Sequence, residues 1–134
     1  MAERRPERER LAAEYTLLSQ LLEDVRRRID LLNAGLNEVA LAKRALEELQ
    51  KLSEGEEMLV PVGAGIYVRA RLASKSSVLM TIGASIMVER TLEEAQKAVE
   101  AREQEIRDAL QKSASDYQAL LNRLRELEQQ IRSG

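Results

Sequence analysis

Cysteine and histidine are both missing from the 134 residues, and so are phenylalanine and tryptophan. Without Cys or His there is no disulfide, no thiol redox chemistry, no soft-ligand zinc site and no imidazole for acid–base catalysis. The many Asp and Glu fall mostly on solvated helix faces without an evident basic or metal partner, so neither an enzyme nor a cofactor is expected. Aromatic bulk is limited to Tyr15, Tyr67 and Tyr117, which disfavours a thick globular core and favours thin contacts of Leu, Ile, Val, Met and Ala. The charges nearly cancel at net −2, so the basic excess of a nucleic-acid binder is missing. The longest uncharged run, residues 76–88, falls short of the roughly 20 residues needed to cross a bilayer. The opening MAERRPERER lacks the apolar stretch of a signal peptide. A single cytoplasmic unit spanning 1–134, with no membrane and no nucleic acid as partner, is the expectation.

What is present is periodicity. From Pro6 to Ser53 apolar residues recur in steps of four and three, at Leu11, Tyr15, Leu18, Leu22, Val25, Ile29, Leu32, Leu36, Val39 and Leu46. This is a heptad seam interrupted only by Lys43 and Gln50. Asn33-Ala34-Gly35 offers a place to break, but the seam keeps its phase there, which predicts one continuous helix over about 1–55. A second seam runs from Leu92 to Ile131 through Val99, Ile106, Leu110, Tyr117, Leu120, Leu124 and Leu127, after Thr91-Leu92-Glu93-Glu94, a capping-box signature. It predicts a helix over 91–134. Neither helix hides its stripe alone. Folded back with residue numbers summing to 142, the two seams match layer for layer: Leu11 faces Ile131, Leu22 faces Leu120 and Gln50 faces Leu92. In this register Lys43 and Glu103 lie in adjacent layers and form a candidate register-setting pair, with Gln50 and Gln96 related in the same way. Pairing of each helix with a copy from another chain is the alternative.

Between the helices, residues 56–90 change period. Stretches 58–62, 66–72, 78–82 and 86–89 read as four short strands. VGAGIYV at 62–68 returns as IGASIMV at 82–88, so one hairpin is duplicated at an offset of twenty. A phosphate cradle needs a helix directly after the glycines, with a Lys and a Ser or Thr or a third Gly. Here a strand follows each turn, and the glycines are expected to supply positive φ in tight connections. Two hairpins without a covering helix leave open edges and a bare apolar face. Val60, Val62, Ile66, Val68, Val78, Met80, Ile82, Ile86 and Val88 are therefore the candidate subunit-assembly residues. The fold class is α+β: a long antiparallel two-helix coiled coil flanking two β-hairpins that oligomerise.

A duplicated hairpin turning on Gly63-Ala64-Gly65 and Gly83-Ala84-Ser85 between matched heptad arms resembles the prefoldin α subunit of archaea. The most specific stretch is Leu59-Val60-Pro61-Val62-Gly63-Ala64-Gly65-Ile66-Tyr67-Val68. The resemblance implies a hexamer of two α and four prefoldin β subunits whose strands form a base carrying six coiled coils. It further implies an ATP-independent chaperone that holds non-native polypeptides at the coil tips and delivers them to a group II chaperonin. Carried onto this chain, the tips are Leu11, Tyr15, Leu17, Leu18, Leu121, Leu124, Leu127 and Ile131, with apolar surface exposed by fraying of the chain ends. The alternatives are a prefoldin-like chain that assembles only with itself, into filaments or rings, and a coiled-coil structural protein without client transfer.

Overall fold

The computed structural model describes residues 4–133; residues 1–3 and 134, the ends of the expected domain, lie outside the described residues. The elements are α1 (Arg4–Lys51), β1 (Glu57–Gly63), β2 (Ile66–Arg71), β3 (Ser77–Gly83), β4 (Ile86–Thr91) and α2 (Leu92–Ser133). Two long helices flank two antiparallel hairpins, and the hairpins form two separate two-stranded sheets, β1-β2 and β3-β4. The chain divides into two compact units. One joins the described residues up to Leu36 with those from Glu105, and the other is Asn37–Gln104.

The first unit is helix against helix. Tyr15 reaches Glu128 and Gly35 meets Ile106, so numbers rise along α1 as they fall along α2, close to the fold-back sum of 142. Val25, Ile106 and Leu124 are buried in the seam, and Leu127 is fully enclosed at 0% exposure. Enclosing one such leucine is worth about 2 kcal/mol, which is why the stripe and not helix propensity holds the pair together. α1 runs through Asn33-Ala34-Gly35 without leaving the helix. A Cβ at Gly35 would stand 3.4 Å from Ile106 Cδ1, so the glycine lies where the facing side chain comes close to the backbone.

The second unit holds the end of α1, both hairpins and the start of α2. After Lys51 the chain reverses: Gly55 N–H donates to the Leu72 carbonyl (2.7 Å) and Leu72 N–H to the Glu56 carbonyl (3.1 Å), tying the foot of the first hairpin to the helix end. Thr91 ends β4 and caps α2. Its hydroxyl accepts from Glu94 N–H (3.1 Å), while Glu94 Oε1 accepts from Thr91 N–H (3.4 Å), a capping box that satisfies two backbone donors reciprocally. Val39 is buried on the seam, whereas Ala95, the most enclosed residue of this unit at 2% exposure, sits one place off it.

The duplication extends to the hydrogen-bonding register. β1 pairs with β2 from Glu57↔Arg71 to Pro61↔Tyr67, then slips by one residue to Gly63↔Ile66. β3 pairs with β4 from Ser77↔Thr91 to Thr81↔Met87 and slips at the same place, to Gly83↔Ile86. Each hairpin thus carries a bulge, occupied by Gly63 (φ 108°) or Gly83 (φ 125°). The positive φ expected of the glycines is not confined to them: Ala64 (53°), Ala84 (46°) and Ser85 (64°) share it. A two-residue hairpin connection with matching twist needs φ > 0 at both central positions. Each L-residue held there costs roughly 1–2 kcal/mol.

Two glycine substitutions separate these roles. Gly35→Ala gains helix propensity at ordinary contact distance and is expected to stabilise the fold by about 0.5–1 kcal/mol. Gly63→Ala forces a side chain into a conformation it resists and is expected to cost about 1 kcal/mol or more. Thermal unfolding of the two variants checks both signs.

Candidate functional site

The hairpins present two unlike faces. On one, Met58, Val60, Val68 and Ala70 of the first hairpin match Val78, Met80, Val88 and Arg90 of the second. Met58, Val60, Ala70, Val78, Met80 and Val88 are half-buried within their own chain. For the first hairpin part of that cover comes from the end of α1 and the residue after it, where Ala45, Leu49 and Leu52 line a groove of about 430 Å3 together with Met58, Leu59, Val60 and Pro61. Toward the turns Ile66, Val68 and Ile86 of this face are exposed, as are Val62 and Ile82 beside the bulges. The expected assembly residues therefore divide: Val60, Val78, Met80 and Val88 are partly covered, whereas Val62, Ile66, Val68, Ile82 and Ile86 stand in solvent.

The opposite face carries what strand alternation alone did not single out. Leu59, Tyr67, Leu79 and Met87 are exposed there, at equivalent places in the two hairpins. Among the described residues, nine of the thirteen exposed large apolar side chains belong to the hairpins. A surface so dense in solvated apolar groups marks an interaction site.

At the ends of the helices, in the first unit, the expected tip residues also divide. Leu124 and Leu127 are buried, Leu11, Tyr15, Leu18, Leu121 and Ile131 are half-buried, and Leu17 is 56% exposed. Leu21, one turn along α1 from Leu17, is also exposed. A polar clamp that sequence reasoning missed spans the helices here. Arg123 Nε–H and Nη2–H both donate to Glu14 Oε1 at 3.1 Å, and Nη1–H donates to Glu126 Oε2 at 3.0 Å. Hydrogen bonds to Glu126 and Glu14 hold the guanidinium above its ordinary pKa, so it stays charged throughout the working pH range. Tyr15 Oη adds a bond to Glu128 Oε1 at 3.4 Å. The signal was legible: Glu14 and Arg123 each immediately precede a seam residue, the flanking positions where coiled coils place interhelical ion pairs.

In the second unit Lys43 Nζ lies 3.5 Å from Glu103 Oε1, and Gln50 Nε2–H donates to Gln96 Oε1 at 3.2 Å. Both polar pairs are brought together across the seam. Among the described residues no group of three or more acidic side chains is arranged to hold a metal ion, and no helix is long and apolar enough to cross a membrane.

The family model described as prefoldin subunit matches residues 18–133, which includes both hairpins, all of α2 and α1 from Leu18 onward. The chain belongs to the prefoldin subunit family. It is 39% identical to prefoldin subunit alpha of Thermofilum pendens over 125 residues, covering 93% of this chain and 97% of that one. It is 32% identical to prefoldin subunit alpha of Pyrococcus horikoshii over 128 residues, covering 95% and 86%. Among solved structures, filamentous PFD from Methanocaldococcus jannaschii superposes with a TM-score of 0.57 at 26% identity, over 93% of this chain and 95% of that one. The prefoldin beta subunit of Thermococcus strain KS-1 shares the fold, with a TM-score of 0.60 at 19% identity over 96% and 91%.

The Lys43–Glu103 contact is open to a double-mutant cycle. Lys43→Met and Glu103→Leu, made singly and together, are expected to show a coupling of about 0.5 kcal/mol in thermal or denaturant unfolding, the scale of a partly exposed ion pair. Additive effects would mean that the two side chains do not interact in solution.

Proposed function

We propose that this chain is the α-type subunit of an ATP-independent chaperone that assembles with prefoldin β subunits, two α with four β, in the cytoplasm. It holds non-native polypeptides at the helix ends and delivers them to a group II chaperonin. What carries the reading is the pair of hairpins whose exposed apolar residues the chain does not cover itself. Fully burying one such side chain contributes about 1.5–3 kcal/mol, so nine of them supply ample drive for association, while Lys43, Glu103 and the seam glutamines keep the helices in one register.

The helix ends fit the holding role by a different balance. Leu17 and Leu21 are exposed one turn apart, beside a seam closed over Leu127 and bridged by Arg123. A small adhesive apolar patch on a well-closed pair of helices binds unfolded chains without melting its own structure. Nucleotide has no role in this scheme, because each glycine turn is followed by a strand and not by a helix N-terminus. Assembly of the chain with itself alone, as in the filamentous relative, is the second reading.

Native mass measurement of the chain alone and with a prefoldin β subunit tests the assembly. A mixed complex of two and four subunits is expected, and a long polymer that takes up no β subunit would overturn it. Ile66→Asp with Ile86→Asp alters side chains already exposed, so the fold is expected to persist while assembly is lost to buried, unpaired charge. For holding, Leu17→Ser with Leu21→Ser should leave stability within about 0.5 kcal/mol and the assembly intact. Protection of an aggregating client in light scattering should nevertheless fall, with or without ATP. Unchanged protection would place the holding surface elsewhere.

A further inference from the structure

α1 carries a second stripe beside its seam. Leu17, Leu21, Asp24, Arg28 and Leu31 follow one another in steps of four, three, four and three, the spacing of the seam itself. All five belong to the first compact unit, and all five are exposed. Leu31, at 74%, is the most exposed large apolar side chain among the described residues, and Leu21 is 43% exposed. α2 closes over the seam and leaves this stripe bare.

The charges in the middle of the stripe are available to another molecule. Asp24 Oδ1 lies 3.6 Å from Arg27 Nη2, but the two side chains are 60% and 73% exposed, and such a pair is easily exchanged. Arg28 stands exposed one turn further along the stripe.

The order of these residues is self-complementary. Laid antiparallel on a second copy with residue numbers summing to 52, Leu21 meets Leu31, Asp24 meets Arg28, Arg28 meets Asp24 and Leu31 meets Leu21. Each copy gives what it receives, as a closed two-fold contact requires. A parallel pairing in register would set Asp24 on Asp24 and Arg28 on Arg28. An antiparallel slip of one heptad would set a charge against a leucine.

We infer that α1 of one copy docks antiparallel along α1 of a second copy through this stripe, with Asp24 of each set against Arg28 of the other. The contact joins helical arms and not hairpins, so it does not rest on the assembly proposed above. It covers Leu21 of the proposed holding patch as well. Two leucines from each copy make a small contact, and the association is correspondingly weak.

Introduced cysteines read the register, since the chain has none of its own. Leu21→Cys and Leu31→Cys are made in separate full-length chains. In the inferred contact position 21 of one copy faces position 31 of the other. Two positions 21, or two positions 31, stand about 15 Å apart along the helix axis, beyond the reach of a disulfide. Under mild oxidation at low ionic strength, an equimolar mixture is expected to form the linked pair at least tenfold faster than either variant alone. Asp24→Arg or Arg28→Asp, added to both cysteine chains, sets like charges opposite each other twice and is expected to slow linking roughly tenfold. D24R with R28D in both chains restores opposite charges and is expected to recover the rate. A mixture no faster than its components, silent charge reversals, or a double reversal that fails to recover would each overturn the inference. Rapid linking of Leu21→Cys alone would mean parallel pairing, and no linking at all would leave the stripe to a different polypeptide; either result overturns it. Circular dichroism of every variant monitors the helices, which substitutions at exposed positions leave intact.

Discussion

Apolar surface that a segment is unable to bury by itself is the constraint on which everything else here depends. A helix with one apolar stripe must lay it on something, and α1 and α2 meet that need mutually because their heptad spacings mirror each other when the chain reverses. The hairpins face the same constraint without a matching solution inside the chain. Two strands have two faces, and the end of α1 lends only partial cover to the first hairpin, along a groove lined by Met58 to Pro61. In the proposed function what remains uncovered is the surface offered to other chains, and assembly would then follow from the same physics that closes the seam.

Polar groups serve as selectors in this arrangement more than as sources of stability. Lys43–Glu103 and Gln50–Gln96 sit at seam positions where a leucine would bury more area, yet any slip of the helices would set a charge or an amide against hydrocarbon. Arg123 bridges Glu14 and Glu126 beside the fully enclosed Leu127. The Lys43–Glu103 pair is partly exposed and worth a fraction of a kcal/mol, against about 2 kcal/mol for an enclosed leucine. Apolar burial sets how strongly surfaces associate, and charge sets which ones.

Much of this was legible before any coordinates. The two seams, the capping box at Thr91 and Glu94, the duplicated hairpin and the proximity of Lys43 to Glu103 all follow from spacing, because helix and strand periods are local properties of a chain. The Glu14–Arg123 clamp was legible in principle, since both residues flank seam positions. Other features were not. Ala64, Ala84 and Ser85 hold positive φ although glycine is the residue suited to it, because the length of the connection, not residue preference, dictates the backbone there. The bulges at Gly63 and Gly83 break strict alternation, so the faces assigned to Val62 and Ile82 could not be taken from a period of two.

The amino-acid sequence by itself determined the element types, the fold-back register and the family, since each rests on a repeat that survives without neighbours. Only the tertiary structure decided which hairpin face is covered and which is bare. It separated Val60 and Met80, half-buried, from Leu59 and Leu79, exposed, and it closed the seam over Leu124 and Leu127 while leaving Leu17 outside. The physical reason is that burial belongs to a residue's neighbours and not to the residue. Leucines with the same hydropathy become core or contact surface according to what the rest of the chain brings within reach.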